Sequence, residues 1–213
     1  MITDERLASF INSFNTDYDD VITSIRKEAE ENNVPIIRRE MGEFIRVLMA
    51  MNRPEKVLEI GAAIGFSAIF MSRFLKDGAH ITTIENYPPR IEEARKNISR
   101  AGAEDKITLL EGDAQDILPE LDDVYDFIFM DAAKGQYGCF FTESIRLLKR
   151  GGVLLCDNVL QDGDVLESRF AVTRRNRTIH ARMREYLYDL THDDRLETAI
   201  LNIGDGVSIS FRK

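Results

Sequence analysis

From residue 57 to residue 156 the sequence repeats one alternation, and few folds can satisfy it. Short apolar runs of strand length recur at Val57–Ile60, Ala79–Glu85, Ile107–Glu111, Phe127–Met130 and Val153–Cys156. Between them lie segments with helix signals: Ser67 to Leu75, Arg90 to Ala101 after Pro88-Pro89, a short helix from Asp113 to about Pro119, and a helix through Phe140, Phe141, Ile145 and Leu148 stopped by Gly151-Gly152. Runs this apolar on both alternating sets of positions describe strands buried on both faces, which parallel sheets require. Five strand–helix units at this spacing predict a parallel sheet with helices on both sides. Thr198–Ile203, the turn Gly204-Asp-Gly206 and Val207–Phe211 then read as a terminal antiparallel hairpin. The expected fold class is α/β with a mostly parallel, Rossmann-like seven-stranded sheet, a C-terminal hairpin and additional N-terminal helices.

Residues 3 to 52 read as those helices. Leu7, Phe10, Ile11 and Phe14, then Val21, Ile22 and Ile25, recur at helix-face spacing, and Asn32-Asn33-Val34-Pro35 interrupts them. Met41, Phe44, Ile45, Leu48 and Met49 form the next stripe. The default expectation is that these helices cover the core, with Pro35–Arg39 as a candidate lid. No linker or repeat divides the 213 residues, so the reading is a single domain: residues 1–52 as a helical extension and 53–213 as the core.

Composition excludes several classes. With 44% hydrophobic and 31% charged residues the chain is that of a globular protein. No stretch is long and apolar enough for a membrane span, and the start Met-Ile-Thr-Asp-Glu-Arg lacks the order of a signal peptide; a cytoplasmic protein is expected. Cys139 and Cys156 have no metal-type spacing and are expected as reduced thiols. A formal charge of −9 argues against nonspecific coating of nucleic acid.

The chemistry concentrates where strands end, the edge at which open α/β sheets bind ligands. The fourth run stops at Asp131 and reaches Lys134; the fifth stops at Asp157-Asn158. Two carboxylates and an amide oxygen form the ligand set of a hard divalent cation. Glu59-Ile-Gly61-Ala-Ala-Ile-Gly65-Phe-Ser67 follows the first run, but Ala63 and Phe66 stand where a dinucleotide fingerprint requires glycine. An acid followed by this loop suits a ligand carrying both ammonium and carboxylate. Glu85, at the end of the second run, is placed to accept from ribose hydroxyls. Asp113-Ala114 stands where a carboxylate meets an adenine amino group or simply caps a helix. Taken singly, each acid is more often a cap or a solvated side chain; together they describe a nucleoside site.

The set Glu59–Ser67, Glu85, Gly112-Asp-Ala114, Asp131-Ala-Ala-Lys134-Gly-Gln-Tyr137 and Asp157-Asn-Val-Leu160 resembles the cation-dependent O-methyltransferases, the family of caffeoyl-CoA and catechol O-methyltransferases. The resemblance runs from about Pro35 to the end and implies a class I S-adenosylmethionine-dependent methyltransferase. It further implies that Asp131, Asp157 and Asn158 hold magnesium or another divalent cation, that Glu59, Gly61, Ser67, Glu85, Asp113, Ala114 and Asp131 line the S-adenosylmethionine site, and that Lys134 lies beside the acceptor hydroxyl as base or as oxyanion stabiliser. A homodimer is also implied. Asp131–Tyr137, Arg174-Arg-Asn-Arg177 and the ending Thr198…Ser210 look closest to the bacterial branch that methylates 5-hydroxyuridine at the tRNA wobble position.

Arg169, Arg174, Arg175, Arg177, Arg182 and Arg184 reverse the local charge of an acidic chain, and Arg38-Arg39 adds a second basic pair. The expected acceptor is therefore the tRNA anticodon stem-loop, with Arg38, Arg39, Arg174, Arg175 and Arg177 as its candidate contacts. The alternative is a small catechol or caffeoyl-type phenol, whose adjacent oxygens satisfy the same cation. A catalytically silent nucleoside-binding scaffold is a third, remoter reading, opposed by the complete set of metal residues with Lys134.

Overall fold

The computed structural model describes residues 5–132 and 134–213; the side chains of residues 134 and 162 are outside that description. Seven strands form a single sheet: β1 (Lys56–Ile60), β2 (His80–Glu85), β3 (Ile107–Glu111), β4 (Tyr125–Met130), β5 (Leu148–Cys156), β6 (Leu196–Leu201) and β7 (Val207–Arg212). Their order is β3-β2-β1-β4-β5-β7-β6, with β1 to β5 parallel and β7 antiparallel to both its neighbours. The succession runs outward from β1 in two directions, so β1 and β4, adjacent in the sheet, begin opposite halves. Their carboxyl ends flank the crevice such sheets use for ligands.

Alternation within the strands feeds two cores. Val57, Ile81, Phe127, Phe129 and Leu155 point to one face, where α2 (Asp20–Glu31), α3 (Arg39–Asn52), α4 (Phe66–Ser72) and α5 (Pro88–Arg100) cover them. Leu58, Ile60, Ile128, Met130 and Leu154 point to the other, under α6 (Ala114–Glu120), α7 (Tyr137–Leu147) and α8 (Arg177–His192). The central strands β1 and β4 thus read as apolar text because both their faces are buried, whereas β3 lies at the sheet edge with Thr108 and Glu111 exposed. Among the described residues no helix is long and apolar enough to cross a membrane.

Several element boundaries differ from the sequence expectation, each for a local reason. The first helical stretch is two helices: α1 (Glu5–Asn12) ends well before α2, whose N-cap Asp19 accepts from the Ile22 amide at 2.9 Å. Leu7, Phe10, Ile11 and Phe14 do not cover the core; they are exposed, and α1 has no buried residue. Helix α5 begins on the prolines, because a missing N–H costs nothing in a first turn. Gly151-Gly152 lies within β5 rather than ending α7. Tyr125 pairs with Leu148 and Phe127 with Val153, so the intervening residues bulge, and a Cβ on Gly152 would sit 2.9 Å from the Asp126 carbonyl oxygen. Helix α8 begins at Arg177, inside the arginine-rich segment.

The two kinds of N-terminal helix make different contributions. Ile45 of α3 is fully buried, whereas Leu7 of α1 is 56% exposed. Ile45→Ala is expected to lower the unfolding free energy by about 2–5 kcal/mol. Leu7→Ala should change it by no more than about 0.5 kcal/mol. Urea unfolding of both variants checks the pair, and equal small effects would exclude α3 from the cooperative core.

Candidate active site

The site is built where β1 meets β4. The Asp131 amide donates to the Ile60 carbonyl at 3.0 Å, and the Asp157 amide to the Met130 carbonyl at 3.0 Å. The ladder therefore delivers Asp131 and Asp157 to one edge in consecutive steps. Gly61 makes this approach sterically feasible: its φ is +102°, and a Cβ there would lie 2.2 Å from the Asp131 carbonyl oxygen. Gly65, at φ +78°, turns the chain into α4.

Two cavities adjoin along this edge. The first, about 240 Å³, is lined by Ser67, Asp131, Asp157 and Asn158 on one side and by Ile36, Ile37, Arg38 and Met41 on the other, with Gly204-Asp205 closing it. Pro35 to Arg38, the candidate lid, thus forms one of its walls. The second, about 210 Å³, is lined by Glu85, Asp113, Ala114, Gln136 and Phe140. Gly61, Ala63 and Asp131 border both. Every expected residue for which a side chain is described, apart from Glu59 and four of the arginines, therefore faces one cavity or the other.

Asp131, Asp157 and Asn158 come together. Asn158 Nδ2 donates to Asp131 Oδ1 at 2.8 Å, and Asp157 Oδ1 accepts from the Asn158 amide at 2.7 Å. Asn158 adopts φ +59°, a conformation asparagine tolerates better than most residues. A cation would meet two carboxylates here, and the amide oxygen after the Asn158 side chain turned about its last bond. Among the described residues no three His, Cys, Asp or Glu side chains group as a metal site, which leaves the mixed acid–amide set as the candidate. The side chain of Lys134 lies outside the described residues; its backbone starts a 3-10 turn, Lys134–Gln136.

The acids of the nucleoside side have more than one role. Glu59 is fully buried on β1 and accepts from the Thr83 hydroxyl through Oε2, while its Oε1 has no hydrogen-bond partner. Burial raises its pKa to about 7, against the neighbouring Ser67 and Thr83 hydroxyls, with Asp131 and Glu85 adding to the rise. An orphan carboxylate oxygen at this depth fits an ammonium group. Glu85 accepts from the amides of Ala63, Asn86 and Tyr87 at 2.8, 3.0 and 2.9 Å, so it clamps the first loop while retaining lone-pair capacity for another donor. Asp113 is the N-cap of α6, accepting from the Gln115 amide at 2.9 Å, and it also lines the second cavity.

The arginines separate. Arg38 reaches the first cavity and bridges to Glu5 at 3.1 Å. Arg39 instead bonds the Thr16 carbonyl at 3.0 Å and lies over the Tyr18 ring. Arg177, Arg182 and Arg184 donate to the carbonyls of Val172, Gly135 and Val165. Arg174 and Arg175 are exposed in the turn before α8. Neither cavity is lined by Arg39, Arg174, Arg175 or Arg177. The cavity walls Met41 and Asp205 escaped sequence reading, since their approach depends on how α3 and the β6–β7 turn pack against the sheet.

Comparison with known proteins agrees with this layout. Residues 13–213 match the family model described as O-methyltransferase. A catechol O-methyltransferase of Niastella koreensis is 34% identical over 155 residues, covering 70% of this chain and 70% of that protein. A crystal structure of a candidate caffeoyl-CoA O-methyltransferase from Staphylococcus aureus superposes with a TM-score of 0.87 at 34% identity, covering 98% of each chain. The Bacillus cereus O-methyltransferase in complex with SAH has the same fold, with a TM-score of 0.87 at 23% identity over 98% of this chain and 97% of that one. With the family model spanning nearly all of its length, this chain belongs to the O-methyltransferase family.

Proposed function

We propose that the protein transfers a methyl group from S-adenosylmethionine to one of two adjacent oxygens on a small phenol of catechol or caffeoyl type, with magnesium or another divalent cation as cofactor. The observation that carries this reading is the meeting of the two cavities at Asp131. Methyl transfer from sulfonium to oxygen is an in-line displacement and needs donor and acceptor held end to end. When bound, the donor supplies an electrophilic methyl group and the cation lowers the pKa of a chelated hydroxyl.

The chain's own residues supply the rest. Glu59 offers its buried, unpartnered oxygen to the donor's ammonium, and Glu85 and Asp113 take the ribose and adenine ends. Asp131, Asp157 and Asn158 hold the cation, and Lys134 takes the acceptor's proton or stabilises its oxyanion. Ile36, Ile37 and Met41 give the first cavity an apolar wall against which a flat ring packs and excludes water. The Bacillus cereus protein in complex with SAH supports the donor assignment, and the Niastella koreensis catechol O-methyltransferase supports the acceptor.

A second reading keeps the machinery and moves the methyl group to O5 of 5-hydroxyuridine at the wobble position of a tRNA anticodon stem-loop. The exposed Arg169, Arg174 and Arg175 favour it. The engagement of Arg38, Arg39 and Arg177 within the fold favours the small acceptor. A homodimer belongs to either reading, supported by the exposed apolar residues of α1.

Three outcomes are expected. Labelled methyl transfer should proceed to a catechol with magnesium and stop with chelator; transfer to hypomodified tRNA but not to catechol would reverse the choice of acceptor. Asp157→Ala should abolish transfer while leaving the circular dichroism spectrum unchanged, and full activity in that variant would remove Asp157 from the metal set. The third concerns Glu59, whose folded pKa of about 7 exceeds its ordinary 4.5. Its contribution to donor-free stability is present below about 4.5 and lost as pH rises through about 7. The melting temperature of the wild type should therefore fall across that window relative to Glu59→Gln; parallel curves would show that Glu59 does not titrate there.

A further inference from the structure

The geometry points to Tyr137 as a positioning residue that sets the spacing between the two halves of the candidate metal site, an inference that rests on the metal-dependent reading above. Tyr137 opens α7 and is 1% exposed. Its hydroxyl donates to the Asp157 carbonyl at 2.8 Å. Tyr137 lies on the segment that follows β4 and Asp131, whereas Asp157 stands at the end of β5. A single phenol thus ties the segment after β4 to the loop after β5.

The bridge stands where the sheet stops. The Asp157 amide to the Met130 carbonyl is the final ladder bond between these strands. Past it, Asn158 Nδ2 bonds Asp131 Oδ1. An amide nitrogen does not ligate a hard cation, so Asn158 must release that bond to present its oxygen. The phenol bridge uses the Asp157 backbone carbonyl and needs no such release. It therefore holds the loops at one separation with or without the cation, and the carboxylates are spared an ordering cost on binding.

The hydroxyl is itself held in place. The Tyr137 ring meets Tyr186 of α8 edge to face at 5.4 Å, and the Tyr186 hydroxyl donates to Cys156 Sγ at 2.9 Å. Phenylalanine would fill the same space, so packing alone does not account for the oxygen.

Tyr137→Phe tests the inference, with Asp157→Ala and Tyr186→Phe as controls. Manganese binding, followed by electron paramagnetic resonance of the free ion, is expected to weaken about tenfold or more in Tyr137→Phe. The Asp157 amide should exchange hydrogen faster, whereas calorimetric affinity for SAH should not change. Tyr186→Phe, which leaves the bridge intact, should lose stability but retain manganese affinity. Unaltered manganese affinity in Tyr137→Phe beside a loss in Asp157→Ala would overturn the role of Tyr137 alone. Parallel losses of manganese and SAH affinity would reduce it to general packing. Wild-type manganese binding in Asp157→Ala would remove the metal site and this inference together.

Discussion

The pairing of β1 with β4 is the constraint on which the molecule depends. These strands are distant in sequence, yet Val57 to Ile60 lie in register with Phe127 to Met130. That register sets Gly61 against the Asp131 carbonyl, a separation no larger residue allows. A slip of one residue would reverse every side chain between faces, exchanging Phe127 and Phe129 with Ile128 and Met130. It would also carry Asp131 away from both cavities. Core packing and site assembly are therefore one requirement.

The central fold is legible in the sequence because its determinants are local in kind and repeated. Each buried strand needs an apolar run, and each strand end needs a turn that hydrogen-bonds itself or a neighbour. Glu85 and Asp131 stand out in the text because they close or directly follow such runs, and Asp113 because it opens the turn after one. What the text hides is competition between equally good local patterns. The α1 stripe has the periodicity of a core helix, yet none of its residues is buried. The Gly-Gly pair has the signature of a helix stop and serves instead to relieve a bulge in β5. In both cases the answer depends on tertiary neighbours that no window of sequence contains.

The arginine-rich segment shows the same limit on the functional side. Charge counting treats six arginines as one patch, but the fold uses Arg177, Arg182 and Arg184 to bond carbonyls that helix and turn ends leave open. Guanidinium groups are well suited to that task, and a basic cluster can arise from it without any anionic partner. Glu85 is the converse case, since an acid read as a ligand contact also organises the loop against which the ligand is expected to rest. Structural and binding duties are shared within single side chains here, so a motif identifies the residue more readily than its work.

The turn between β6 and β7 bonds directly to the segment after Asn158: the Val159 amide to the Gly206 carbonyl and the Leu160 amide to the Asp205 carbonyl, each at 3.0 Å. Asp205 also closes the first cavity. During synthesis the strands that carry Asp131 and Asp157 leave the ribosome well before this hairpin, and until it arrives the loop they share has neither its backbone partners nor its outer wall. A nascent chain that has laid down β1 to β5 thus still lacks one wall of the first cavity until the hairpin joins the sheet.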